Sequence, residues 1–168
     1  LMEVDPENLT KAANLITKHR LLGGKLIFIG NGGSAAISSH LSVDFTKACK
    51  IRSINFNEAD LLTCFSNDYG YSNWCKEALS AYADASDIVI LISSSGTSEN
   101  ILNAARFCVE NNLKLITFSG FSPKNPLRSY GDLNFYVSSD IYNFVEMVHH
   151  TWLVAIVDLL SGVDLRGR

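Results

Sequence analysis

Apolar positions along this chain fall into short dense runs, separated by stretches with a helical rhythm. Leu26-Ile27-Phe28-Ile29, Ile88 to Ile92 and Leu115 to Phe118 are runs without polar alternation. That pattern predicts strands buried on both faces of a parallel sheet. Ser53 to Phe56 and Leu133 to Val137 predict two shorter strands. Between them, Leu9, Ala12, Ala13, Ile16 and Leu21 recur at helical spacing, as do Ile37, Leu41, Phe45 and Ala48, and Ile101, Leu102, Ala105 and Val109. These predict helices over 6–22, 34–48 and 99–111. Asp5-Pro6 starts the first with a capping side chain and a proline at the first helical position, and Gly23-Gly24 stop it. A further helix is expected over Tyr71 to Tyr82, and a long last one over 142–160.

Strand and helix thus alternate about five times, which predicts one α/β domain over 1–168 with its sheet core at 25–137. The expected architecture is a three-layer sandwich. Its five-stranded parallel sheet has the flavodoxin-like order 2-1-3-4-5, with helices on both faces and right-handed crossovers. The last helix is apolar nearly all round in its second half, more apolar surface than one subunit of this size covers. A homo-oligomer is therefore expected.

Composition narrows the class. Apolar residues make up 47% and charged residues 18%, so the chain has the means to bury a core. A net charge of -3 without a basic stripe argues against direct binding of nucleic acid. The cysteines at 49, 64, 75 and 108 form no C-x-x-C pair, as expected of reduced thiols in the cytoplasm. No apolar run reaches the roughly 18–20 residues of a membrane span.

Two loops carry the candidate chemistry. The first, Gly30-Asn31-Gly32-Gly33-Ser34, follows the first strand and opens a helix. It lacks the Gly-Lys-Ser/Thr of a nucleotide-binding loop and the ribose-binding acid of a dinucleotide fold. An anion site at a helix N-terminus and a plain tight turn both remain open for it. The second, Ile92 to Asn100 (ISSSGTSEN), follows the third strand. Ser93, Ser94, Ser95, Thr97 and Ser98 exceed what capping one helix requires. Hydroxyls at a helix N-terminus form a cradle for a phosphate monoester without lysine. In a 2-1-3-4-5 sheet, strands 1 and 3 flank the switch point, so the two loops face one crevice.

Beyond the loops, His40 and Asp44 lie four apart on the first crossover helix and project from one face. An exposed ion pair accounts for them as well as a site does. On the last helix, Glu146, His149 and His150 stand at i, i+3 and i+4. A glutamate fixing buried histidines is the plain reading there. With a histidine of the last helix, His40, Asp44 and Glu146 would form a nitrogen and oxygen donor set suited to zinc or another divalent ion.

Taken in order, GNGGS with His40, SNDYGY (Ser66 to Tyr71) and ISSSGTS resemble the SIS (sugar isomerase) domain family, and within it the sedoheptulose 7-phosphate isomerases. The resemblance implies a phosphosugar aldose–ketose isomerase working through an enediolate, and a homotetramer with shared sites. It places the phosphate on Ser93, Ser94, Ser95 and Ser98. It also puts Asn31 and Ser34 against the sugar phosphate and Asp68 near the sugar hydroxyls; Gly32 and Thr97, in the same two loops, complete the expected substrate site. It implies a zinc ligand at His40, and a ligand and general base at Asp44, where those enzymes carry Glu. They carry Gln at the position of Glu146 and a catalytic histidine at Val154, so His150 or His149 is expected as the acid. The metal set expected is His40, Asp44, Glu146 and His150. The alternative is a sugar-phosphate-binding SIS module that regulates or binds a protein partner without turnover.

Overall fold

A computed structural model describes residues 5–162 of the chain. Five parallel strands, β1 (Leu26–Gly30), β2 (Ser53–Asn55), β3 (Ile88–Ser93), β4 (Lys114–Ser119) and β5 (Leu133–Tyr136), lie in the order β2-β1-β3-β4-β5. Every residue of β1 and β3 is buried, which is why their sequences are apolar without alternation. Successive side chains still point to opposite faces. Phe28, Ile90 and Phe118 enter one core with α1 (Pro6–Leu21), α2 (Gly33–Lys47) and α6 (Tyr142–Ser161). Ile27, Val89 and Leu91 enter a second core with α3 (Ala59–Tyr69), α4 (Trp74–Tyr82) and α5 (Glu99–Glu110). The sheet order and the three layers are those expected from the sequence.

The differences are local. The helix expected over Tyr71 to Tyr82 begins only at Trp74, and a separate helix, α3, precedes it. None of α3's side chains is fully buried, and it leans on the core through Leu61, Leu62 and Phe65. Three half-buried contacts leave little periodicity for a sequence to show. Gly70, with φ +79°, ends α3, so Asn67 and Asp68 are helical residues. Strands β2 and β5 stop at Asn55 and Tyr136, one residue short of expectation.

By length and composition alone, α6 is long and apolar enough to cross a membrane. Here it serves as a core helix. Val145, Val148, Trp152, Leu153, Ile156 and Val157 are buried, and the helix packs on α1, α2 and β4.

His149 belongs to this buried stripe, fully enclosed, between Phe118 and Trp152. Its Nε2–H donates to the Ser119 carbonyl at 3.1 Å, while Nδ1 has no partner. Burial pushes its pKa down to about 4. The unfolded chain takes up this proton near pH 6.5, the folded chain only near 4. Acid therefore favours unfolding within that window. Denaturant midpoints measured across pH should fall as pH drops from about 6.5 towards 4, and His149→Gln should flatten that fall.

Candidate active site

The site is set by where two strands end. β1 and β3 pair in parallel, with Gly30 opposite Ile92, so the chain leaves both at one edge of the sheet. The segment after β1 opens α2, and the segment after β3 opens α5. Between them lies a crevice of about 230 Å³. One wall is Asn31, Gly32, Gly33 and Ser34, and the other is Ser93, Ser94, Ser95 and Ser98. Tyr142 and Glu146 of α6 complete it. A hollow of about 340 Å³ by Val109, Asn112 and Asp132 lies at the other end of β4, away from both loops.

The two walls are tied together. The Asn31 and Asn100 side chains exchange a reciprocal pair of amide hydrogen bonds, at 3.0 and 2.9 Å. The Tyr71 hydroxyl donates to Asn31 Oδ1 at 3.1 Å, and Asn100 also donates to Cys75 Sγ at 3.2 Å. Asn100 is buried, so these bonds are shielded from water. Burial raises the Cys75 thiol to about 12, which keeps it protonated. Asn31 therefore clamps the crevice as well as lining it.

Within the serine loop some hydroxyls are engaged and others are not. Ser93 Oγ accepts from the Gly96 N–H at 3.2 Å, and Ser95 Oγ accepts from the Thr97 hydroxyl at 3.0 Å. Ser98 stands at the N-cap of α5, yet its side chain makes no capping bond. Ser94 Oγ is buried and has no partner at all. From behind, the Gly120 N–H donates to the Ser94 carbonyl at 2.9 Å, and Asn125 Nδ2 holds Ser119 Oγ and the Gly120 carbonyl at 3.1 Å each. Gly96, at φ +64°, lies so close over Asn125 that a Cβ would overlap its amide.

Two expected residues are not brought to the crevice. Thr97 is exposed and spends its hydroxyl on Ser95. Asp68 sits in the last turn of α3, exposed, against Asn67 and Cys64. The SNDYGY segment reaches the site through Tyr71 instead.

His40 Nε2 and Asp44 Oδ2 are 3.1 Å apart, and the His150 ring meets His40 edge-on with centroids 4.7 Å apart. Burial holds the His150 pKa below the usual histidine range, helped by the neighbouring His40 and opposed by Asp44. These three form one polar cluster between α2 and α6. Glu146, one turn before His150, is set apart from them in the crevice wall, against Gly33. The expected four-residue metal set does not converge. Among the described residues no group of three or more His, Cys, Asp or Glu side chains is arranged to hold a metal. His149, the other candidate acid, faces the core.

Reading the sequence missed Asn100, Tyr71 and Tyr142. Asn100 falls within the serine motif, and its position at the second residue of α5 was the available signal.

Comparison with known proteins identifies the family. A family model described as the SIS domain matches residues 1–120. The phosphoheptose isomerase of Thermodesulfovibrio yellowstonii is 33% identical over 161 residues, covering 92% of this chain and 80% of that protein. Among solved structures, the phosphoheptose isomerase of Neisseria gonorrhoeae superposes with a TM-score of 0.86 at 25% identity, over 92% of this chain and 86% of that one. That of Francisella tularensis gives 0.87 at 25% identity, over 94% and 86%. The chain belongs to the SIS domain family.

Proposed function

We propose that this protein is a phosphosugar aldose–ketose isomerase that acts on sedoheptulose 7-phosphate, or a ketose phosphate like it, through an enediolate. The observation that carries this reading is Ser94: a buried hydroxyl without a partner, in a crevice lined by further hydroxyls. A buried polar group left unpaired is costly, and a phosphate oxygen would satisfy it. Ser98, with its cap position unused, and the N-terminus of α5 add a donor and a favourable dipole for an anion. The relatives' names, phosphoheptose isomerase, supply the reaction.

With the phosphate anchored, binding energy from this remote group orients the reacting carbons. A carboxylate takes a proton from the carbon beside the carbonyl, and a second group moves the oxygen-bound proton. Two carboxylates could take that role: Glu146, in the crevice wall, and Asp44, tied to His40 outside it. His150, whose pKa burial holds below the usual histidine range, would serve as the acid. Zinc or another divalent ion, the cofactor the resemblance implies, would polarise the carbonyl when bound. His40, Asp44, Glu146 and His150 do not gather to hold it among the described residues.

The exposed apolar residues of α2 and α6, Val43, Met147 and Leu159, support a homo-oligomer, read as a tetramer. Free cysteines at 49, 64, 75 and 108 are consistent with a cytoplasmic setting. A regulatory module without turnover is disfavoured, because a pure phosphate binder has no use for a carboxylate across the crevice from its serine wall.

NMR of the purified protein with C5–C7 ketose phosphates should show conversion of sedoheptulose 7-phosphate to an aldose phosphate. Binding of these sugars without conversion of any would favour the module. Ser94→Ala should raise KM about tenfold or more, as expected for a lost hydrogen bond to a charged group. Light scattering should give about four times the chain mass.

A further inference from the structure

We propose that Glu146, not Asp44, is the general base that removes the carbon-bound proton, and that Gly33 lacks a side chain in order to admit its carboxylate. This inference rests on the isomerase reading and deepens it.

Three observations converge. Glu146 is the one carboxylate among the residues lining the crevice. Asp44 lies outside that lining and is held 3.1 Å from His40. Among the described residues no Lys, Arg or His pairs with Glu146, so its oxygens are free to accept a proton. Gly33, finally, does not occupy the left-handed region that would require glycine for conformational reasons. What a Cβ there would meet is the Glu146 carboxylate itself, at both oxygens. The absent side chain leaves room for that carboxylate at the opening of α2.

Charge places this group at the sugar end. A carboxylate beside a bound phosphate is repelled, so Glu146 serves no purpose as a phosphate ligand. It becomes useful where the chain of the sugar has carried the reacting carbons away from the serine wall.

The step balances without a redox partner. The Glu146 carboxylate takes a proton from C1 of the ketose, and the C–H electron pair forms the C1–C2 double bond. The C2 oxygen gains a proton from the neighbouring acid. The C1 hydroxyl then gives up its proton as the C1 carbonyl forms, and the Glu146 carboxylic acid returns the carbon proton to C2.

The test is exchange of solvent deuterium into sedoheptulose 7-phosphate at C1, followed by proton NMR, with substrate binding measured alongside by calorimetry. Glu146→Gln should lose exchange by about 100-fold or more while binding stays within about threefold. Gly33→Ala, whose backbone tolerates a side chain, displaces the carboxylate and should lose exchange by at least about tenfold. Added formate should restore part of the exchange to Glu146→Ala, which a purely structural role would not produce. Exchange by a folded Glu146→Gln at near the wild-type rate overturns the inference, as does loss of exchange in Asp44→Asn with Glu146→Gln unaffected. Wild-type protein that binds ketose phosphates but exchanges none overturns the isomerase reading beneath it.

Discussion

Strands β1 and β3 lie side by side in parallel, and the working parts of this molecule depend on that pairing. Because Gly30 stands opposite Ile92, the glycine loop and the serine loop leave the sheet together. Neither loop makes a site alone. One is a turn with glycines, the other a helix start with surplus hydroxyls. Set side by side at a switch point, they become opposite walls of one crevice. The Asn31–Asn100 amide pair then fixes the spacing of the walls at the point where the sheet's own hydrogen bonds have ended.

The third wall comes from a different source. Helix α6 reaches the crevice because its apolar stripe must be buried on β4, α1 and α2. That packing fixes the helix's rotation, and rotation decides which polar residue faces inward. Val145 and Val148 turn to the core, and Glu146 between them turns to Gly33. His149 is carried into the interior, where only its Nε2 finds a partner. His150 is carried to His40. One helix thus distributes three adjoining polar side chains among three environments, and the hydrophobic contacts set the distribution.

Much of this was legible beforehand, for physical reasons. Buried parallel strands must be apolar on both faces, so β1 and β3 announce themselves. One capping hydroxyl is enough to start a helix, so the surplus serines of the second loop point to an anion. What could not be read are features that depend on distance between elements. The separation of Glu146 from His40 and Asp44 follows from helix rotation, and spacing along α6 offers Glu146 and His150 equally. The place of Asp68 depends on α3, a surface helix whose half-buried contacts leave little pattern. The role of Asn100 depends on Asn31, 69 residues away in sequence.

The serine wall contains no lysine or arginine. In the proposed reaction the phosphate ester is unchanged by isomerisation at the other end of the sugar, so this wall would grip substrate and product with equal strength. A fixed cation would deepen both wells together and slow departure without speeding the chemistry. Neutral hydroxyls and a helix terminus keep those wells shallow. On that proposal the loop would act as a handle of moderate grip, letting the sugar enter from either side of a reversible reaction and leave as readily.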